Sequence, residues 1–501
     1  MTVSDCLMGI DIGSSFVKAS VIRVDNGKLV ASASSPDTEM QMISVKTGWA
    51  EQDPEVWWQN VVRTANILIR EKGVVPSSIA AIGISYQMHG LVAVDESQKV
   101  IRPSIIWCDS RAVEYGRMAF NKMGREFCLE HYLNSPGNFT ASKLKWVKEN
   151  EADNYRRIHK IMLPGDYIAM KLTGRVSTTV SGLSEGIIWD IEKNEPANEL
   201  LDYYGISKDL LPDVHSCFEV SGELHAAAAT ELGLPIGTPV SYRAGDQPNN
   251  AFSLNVLKPG EFAATAGTSG VIYGVTDKKV YDSRSRVNPF VHVNHNSEDH
   301  RYGILLCING TGILNSWLRR ILGAGVNYSY ESMNDIARES PIGSDSLVFI
   351  PFGNGAERII EDRDIGSNLT GLNFNRHALP HLLRSAQEGI VFSMNYGLQI
   401  MEEMGLNMKT VKAGYSNMFL SPLFREAFVN TTGTSLELFN TDGAQGAARG
   451  AGVGASIYPT PADAFEGLQV IDRLVPTPDK KASYSEAYDL WLQTLNDQLG
   501  K

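Results

Sequence analysis

Gly245-Asp246-Gln247 closes the apolar stretch that begins at Thr238-Pro239-Val240. A carboxylate beside glycine at a strand end can approach a ligand hydroxyl and take its proton as the oxygen attacks phosphorus. The same Asp246 also reads as the N-cap of a helix through Ala251 and Phe252. Near the start, Asp11-Ile12-Gly13-Ser14-Ser15, with Lys18 behind it, puts a second carboxylate ahead of a turn of small residues. Such an acid can hold Mg2+ through water, and the turn's N–H groups and hydroxyls can take phosphate oxygens. A plain hairpin with Gly13 at positive φ would carry the same residues. Ala266-Gly267-Thr268-Ser269-Gly270 is another small, hydroxyl-bearing turn. Two such turns across a cleft would grip a polyphosphate from both sides, and no GxxxxGK[ST] loop competes with that reading.

Ser85-Tyr86-Gln87-Met88-His89-Gly90 and Trp107-Cys108-Asp109-Ser110-Arg111 bring an amide, an imidazole, an indole, a carboxylate and a guanidinium into a short span. An indole stacks on the C–H face of a sugar while Asp and Arg bond its hydroxyls. A core role for His89 and Trp107 is the competing reading. Lys412-Ala413-Gly414-Tyr415-Ser416-Asn417 follows a strand-like Thr410-Val411 and reads as a turn that admits a nucleoside, or as a plain strand-to-helix turn.

These residues need elements to hold them. The runs 6–12 and 16–24 flank Gly13-Ser14-Ser15, and Asp25-Asn26-Gly27 is a hairpin signal ahead of a third run. Residues 261–266 and 271–275 flank the second small-residue turn in the same way, so the chain reads as two similar halves, with Lys258-Pro259-Gly260 between them. Residues 79–85 predict a β-branched strand, 142–149 and 384–403 predict helices, and 443–455 predicts an Ala/Gly-rich helix packed closely on another element. The mixture is α/β.

Composition narrows the function classes. The 501 residues suggest two or three domains, 43% hydrophobic and 20% charged residues are ordinary for a globular protein, and the net charge of −12 disfavours nucleic acid and anionic membrane as partners. Five scattered cysteines without a CxxC pair predict free thiols in a reducing compartment and no zinc site. No apolar run approaches the roughly 18 residues of a membrane span, and Met1–Asp5 carries no basic residue of a signal peptide, so the expected location is cytoplasmic.

Taken in order, these motifs resemble the FGGY carbohydrate kinases of the actin/Hsp70/sugar-kinase superfamily. The resemblance rests on Asp11-x-Gly-Ser-Ser, Gln87-Met88-His89-Gly90, Trp107-x-Asp109-x-Arg111, Phe139-Thr140-Ala141-x-Lys143, Asp246, Gly267-Thr268-Ser269-Gly270, Asp364-Ile365-Gly366 and Ala413-Gly414. It implies two actin-like (ribonuclease H-like) domains, 1–256 for the sugar and the base and 257–501 for the nucleotide, with the active site in the cleft between them. It implies ATP and Mg2+, a small-molecule sugar, and a homodimer as the expected assembly. By position it makes Asp246 the general base and Asp11 the acid near Mg2+ and the γ-phosphate. Gln87, Met88, His89, Trp107, Asp109 and Gln247 fall to the sugar. Gly13, Ser14, Ser15, Lys18, Gly267, Thr268, Ser269, Gly310, Thr311, Gly414, Ser416 and Asn417 fall to the nucleotide. Met88-His89 implies D-xylulose, against the Arg-Glu of glycerol-directed members, with ribulose, sedoheptulose and other polyols as alternatives. The chain departs from the family in Gln247 for Asn, in Ala413-Gly414-Tyr415 for a triple glycine, and in Thr179 for a common Asp. A non-catalytic regulator on the same fold would be expected to have lost Asp246 or Asp11, and both are present.

Overall fold

The computed structural model describes residues 5–323 and 328–500. Its N-terminal half contains the strands β1 (Cys6–Ile12), β2 (Val17–Arg23), β3 (Leu29–Ser35), β4 (Ile79–Tyr86), β5 (Gly222–Glu223) and β6 (Pro239–Gly245), in the order β5-β6-β4-β1-β2-β3. The meander β1-β2-β3 is antiparallel, β1, β4 and β6 run parallel, and β5 closes antiparallel. The C-terminal half contains β7 (Phe262–Ala266), β8 (Gly270–Thr276), β9 (Asn288–Val291), β10 (Tyr302–Ile308), β11 (Thr410–Gly414), β12 (Ser435–Phe439) and β13 (Val470–Leu474). Their order, β9-β10-β8-β7-β11-β12-β13, repeats the pattern: an antiparallel meander, then parallel β7, β11 and β12, then an antiparallel closing strand. The two similar halves expected from the paired turns are therefore two sheets of one polarity plan.

Burial explains which runs became central. Residues 6–12 and 79–86 are almost entirely buried, as parallel strands covered on both faces must be, whereas residues 29–34 are mostly exposed and form an edge. The Asn26-Gly27 signal lies between β2 and β3, with Gly27 at φ 62°. The expected helices are α1 (Thr140–Asn150), which spans 142–149, α3 (Leu379–Glu403) and α4 (Gly443–Gly454). Between α1 and α3 in the chain lies α2 (Asp246–Ser253), which follows β6 directly.

α2 and α4 tie the halves together. Each follows the last parallel strand of its own half and packs on the sheet of the other: α2 on β7 and β8, α4 on β1, β4 and β6. Asn249 Nδ2 of α2 donates to Gly443 O of α4 at 2.8 Å. The Ala/Gly composition of α4 is required because its backbone lies directly on the strands. A Cβ at Gly9 would overlap the Ala444 carbonyl oxygen, and one at Gly83 would overlap that of Ala447. Overpacking a rigid contact of this kind costs about 1–3 kcal/mol or more. Gly9→Ala and Gly83→Ala are therefore expected to lower the unfolding free energy by that amount, read as a lower denaturant midpoint at unchanged m-value, and an unchanged midpoint would mean that α4 stands off from the sheet.

Candidate active site

The ends of β1, β4 and β6 meet the starts of α2 and α4. Asp11 on β1 is in register with Lys18 on β2 and Ser85 on β4, and Ser85 Oγ donates to Asp11 Oδ1 at 2.8 Å. Gly443, the first residue of α4, leaves room here: a Cβ on it would lie 2.5 Å from Asp11 Oδ2 and 3.1 Å from Asn250 Oδ1. Asn250 is one turn beyond Asp246 on α2. Burial pushes Asp11 up, against the Ser85 hydrogen bond and Lys18, and Asp442 adds a further push. Asp246 is raised to about 7, first by burial and then by the Asp11 charge, while Gln247 bonds its carboxylate and opposes the shift. Asp11 thus raises Asp246 at a helix start, and the two carboxylates with Asn250 Oδ1 make an oxygen-lined pocket.

The C-terminal half closes that pocket. Cys307 on β10 bonds Ser269, and its thiol is pushed to about 12 by burial and by the nearby Glu357 and Asp246 charges. The turn Gly267–Ser269 docks backbone to backbone on the segment from Asn309 onward, with Gly312 N donating to Gly267 O at 2.9 Å and Ile313 N to Thr268 O at 3.2 Å. Asn417 lies close by, since a Cβ on Gly267 would meet only its Nδ2, at 3.6 Å. Asn417 sits at φ 52°, and Ser416 N donates to Gly414 O at 2.8 Å. The residues expected at the nucleotide, from Gly267 to Asn417, are thus gathered at one end of the central strands of the second sheet.

The residues expected at the sugar lie on the other side of Asp246. His89 has φ 60°, a left-handed conformation unusual for a side-chain-bearing residue and held only where neighbours fix it. Here Glu185 fixes it. The carboxylate takes the His89 N–H at 3.4 Å, and the Glu185 carbonyl lies 2.9 Å from His89 Nδ1. The imidazole stands edge-on to Phe139 with centroids 4.8 Å apart. Burial, then Lys143, lowers His89 to about 3, so the ring is neutral. Lys143 is fully buried, and its ammonium donates to His89 O at 2.7 Å and Ile106 O at 3.0 Å. It thereby pins the two loops that carry Met88-His89 and Trp107. Burial lowers Lys143 itself to about 7. Trp107 is 39% exposed, with its Nε1 3.5 Å from Ser14 Oγ, so the indole borders the first small-residue turn.

Several expected roles are corrected by this geometry. Asp109 is 0% exposed and cannot meet a sugar: its carboxylate takes Ala50 N at 2.6 Å, Arg111 N at 2.9 Å and the Arg111 guanidinium at 2.7 Å. Thr311 is fully buried, and its hydroxyl returns to Ile308 O at 3.2 Å, so the side chain does not face a nucleotide. Gln87 is buried, and its Nε2 donates to Gln52 Oε1 at 3.2 Å, while Gln52 donates to Ser14 O at 2.6 Å. It links the Met88-His89 loop to the Gly13 turn. Gly13 itself is outside the left-handed region, and the turn is closed by its N–H to Phe16 O at 3.0 Å.

Two buried acids of the site carry no sequence signal. Glu185, in a short helix of small residues, is raised well above the carboxylate range, chiefly by burial. Its Oε2 lies against Gly245, where a Cβ would also come within 2.7 Å of Met88 Cγ. Glu357, fully buried, accepts Asn309 N at 3.0 Å and is raised to about 7 by burial. No amphipathic period marks either position, and the nearby Gly186 and Gly355 do not tell a buried acid from an exposed one.

Comparison with known proteins follows the same division of the chain. Residues 6–253 match the N-terminal domain and residues 262–457 the C-terminal domain of the FGGY family of carbohydrate kinases. A xylulose kinase of Bacillus subtilis is 30% identical over 412 residues, covering 81% of this chain and 79% of the relative. One from Staphylococcus xylosus is 27% identical over 490 residues, covering 97% and 98%. A xylulose kinase structure from Brucella ovis superposes with a TM-score of 0.87 at 26% identity and 99% coverage of both chains. A glycerol kinase of Plasmodium falciparum superposes equally well, at 0.86, but at 20% identity it speaks only for the fold. Among the described residues no helix is long and apolar enough to cross a membrane. With both halves of its fold, its meeting acids and both family domains accounted for, the chain belongs to the FGGY family of carbohydrate kinases.

Proposed function

We propose that this kinase transfers the γ-phosphoryl group of ATP to D-xylulose, giving D-xylulose 5-phosphate. The observation that carries the sugar assignment is the Met88-His89 pair, with His89 neutral, held in a strained conformation and edge-on to Phe139, and with Met88 against the Gly245-Asp246 corner. That apolar and weakly polar lining suits an uncharged ketose. Residues 1–256 hold the sugar and the base, and residues 257–501 hold the nucleotide. Asp246 takes the proton of the attacking hydroxyl as the new P–O bond forms and the bond to the departing ADP oxygen breaks. Trp107 covers a carbon face of the sugar, and Gln247 steadies Asp246. The donors of Ser14–Ser15 and the backbone of Gly267–Ser269 donate to phosphate oxygens, while the Gly13 N–H holds the first turn closed on Phe16 O.

Mg2+ fits the donor set, since Asp11, Asp246 and Asn250 offer hard oxygens and this ion binds through few carboxylates alongside phosphates and water. Among the described residues no cluster of three or more His, Cys, Asp or Glu forms a cation cage, so the protein's share of the coordination is small. Asp11 would be the first protein partner of such a cation, which would supply charge neutralisation at the phosphates.

An ADP-release screen over pentuloses, heptuloses and polyols tests the sugar. D-xylulose is expected to give the highest kcat/KM, and ribulose, sedoheptulose or glycerol exceeding it would move the assignment. The nucleotide side has its own test. A side chain at Gly267 would project toward Asn417 without meeting protein backbone. Gly267→Val is therefore expected to fold normally and to raise the ATP KM by about tenfold while changing the sugar KM little. The opposite order in calorimetric titrations would place the nucleotide elsewhere.

A further inference from the structure

Glu357 and Arg358 are adjacent in the chain, yet they face the two different substrate regions. Glu357 accepts the backbone N–H of Asn309, at the start of the segment on which the Gly267 turn docks, with oxygens at 3.0 and 3.2 Å. Asn309 Nδ2 also donates to Ala356 O at 3.2 Å. Arg358 points the other way, across the division between the halves. Its Nη2 donates to Ser135 Oγ at 3.3 Å, and its guanidinium lies over the Phe139 ring, 5.7 Å from the centroid. Phe139 is the ring on which His89 stands.

Arg358 is a half-buried cation without a matching anion. Its Nε is buried with no hydrogen-bond partner among the described residues. Asp362 and Asp282 act on it electrostatically, but among the described residues it forms no ion pair. Leaving a buried N–H of a half-buried cation without a partner or an ion pair is costly, so an arginine in this position carries a role beyond packing. Its charge reaches His89, which it helps keep neutral.

The segment behind the pair is stiff. Ile359 and Ile360 are buried in the core of the C-terminal half. Ile360 N and Asp362 N both donate to Glu357 O at 3.1 Å, and Glu357 N donates to Arg363 O at 3.0 Å. A movement of Phe139 and Ser135 that displaces Arg358 is thus passed to Glu357, and from there to the Asn309 amide, with little slack between.

We propose that Glu357-Arg358 is a positioning pair that couples the two substrate sites, so that sugar bound at His89 and Phe139 tightens the Asn309–Gly312 and Gly267–Ser269 backbone around the nucleotide. The inference rests on the division of sugar and nucleotide proposed above. A coupling of this kind is reciprocal: whatever factor the sugar adds to nucleotide affinity, the nucleotide adds to sugar affinity.

The test is a binding cycle by calorimetry. A non-hydrolysable ATP analogue is titrated into the full chain with and without a saturating sugar, using whichever sugar turns over best in the ADP-release screen. That choice keeps the test valid if D-xylulose proves to be the wrong sugar. In the parent protein the sugar is expected to tighten the analogue by at least about fivefold. Arg358→Met keeps the length of the side chain and its contact with Phe139, and is expected to bring the factor below about twofold while each ligand alone binds within about threefold of the parent. Arg358→Lys keeps the charge but loses the planar contact, and is expected to fall between them. Glu357→Gln keeps an acceptor oxygen for the Asn309 amide and should retain more than half of the coupling, in logarithmic terms. Should Arg358→Met fail to fold, Arg358→Lys and Glu357→Gln carry the same comparison. A coupling factor unchanged in Arg358→Met overturns the proposal, as does a parent protein with no coupling. A variant that loses sugar affinity alone, with the factor preserved, makes Arg358 a plain sugar ligand and overturns it as well.

Discussion

Asp246→Ala is expected to lower kcat by at least about 100-fold while leaving the ATP Kd little changed, as loss of a general base and of hydroxyl positioning does. The effect follows from the place of this carboxylate. It opens α2 directly after β6, between the Met88-His89 loop and the Ser269-Cys307 face of the other half. Its charge state adds a second signature. Burial, then Asp11, raises it to about 7, and a base must be ionised to accept a proton. The kcat/KM for sugar is therefore expected to fall about tenfold per unit below pH 7 and to level off above it, and this limb should be absent from the residual activity of Asp246→Asn. Stability moves in the opposite sense. A carboxyl raised from about 3.9 unfolded to about 7 folded contributes stability that is fully present below the lower value and lost as the pH rises through the upper one. Asp246→Asn is therefore expected to melt higher than the parent at pH 8, by roughly 2–4 °C for each kcal/mol recovered, and at the same temperature near pH 4. Near-parental turnover in Asp246→Ala, or a kcat/KM profile flat from pH 5 to 8 in the parent, would remove Asp246 from this role.

The origin of that pKa shows what could be read from the sequence and what could not. The strand-end position of Asp246 was legible because glycine before an acid after an apolar run is a local pattern, and so were the two small-residue turns and the Ala/Gly helix. The repeat of the turn was enough to give two halves of one plan, since strand, turn and returning strand are contiguous in each. The acids that surround Asp246 were not legible in the same way. Glu185 and Glu357 reach the site through segments far away in the chain, and their burial is a property of both sheets together. Asp109 shows the converse error. Its type and its neighbours Trp107 and Arg111 suit a sugar pocket, but Arg111 lies on Trp49, with guanidinium and ring centroid 3.8 Å apart, and takes Asp109 into a closed ion pair with it. An acid two residues before an arginine can serve either purpose, and only the third dimension decides which. Lys143 is the intermediate case. Its place in a motif was visible, whereas its work, donating to the His89 and Ile106 carbonyls, depends on two loops that the sequence does not bring together.

His89 is the residue on which the sugar assignment most depends, and it separates a binding role from a structural one. The imidazole is neutral, so it offers one N–H and one lone pair, and the Glu185 carbonyl lies 2.9 Å from Nδ1. That carbonyl is an acceptor, so Nδ1 carries the hydrogen and Nε2 is left as an acceptor for a sugar hydroxyl. Losing one neutral hydrogen bond costs about 0.5–1.5 kcal/mol, and more where the partner is stranded. His89→Ala is therefore expected to raise the sugar KM by roughly 3- to 100-fold and to leave the ATP KM near its parental value. Alanine is also poorly suited to the left-handed backbone at φ 60°, so a drop in melting temperature accompanies it and is not by itself informative. His89→Asn tolerates that backbone better and is expected to recover much of the stability, but its shorter side chain cannot place an acceptor where Nε2 stood. The binding role thus predicts that His89→Asn melts close to the parent while its sugar KM stays elevated by at least about threefold. A purely structural histidine predicts the reverse, with melting temperature and sugar KM recovering together. Melting and KM measured on one preparation of each variant decide between them, and recovery of both in His89→Asn would leave D-xylulose without the residue that most supports it.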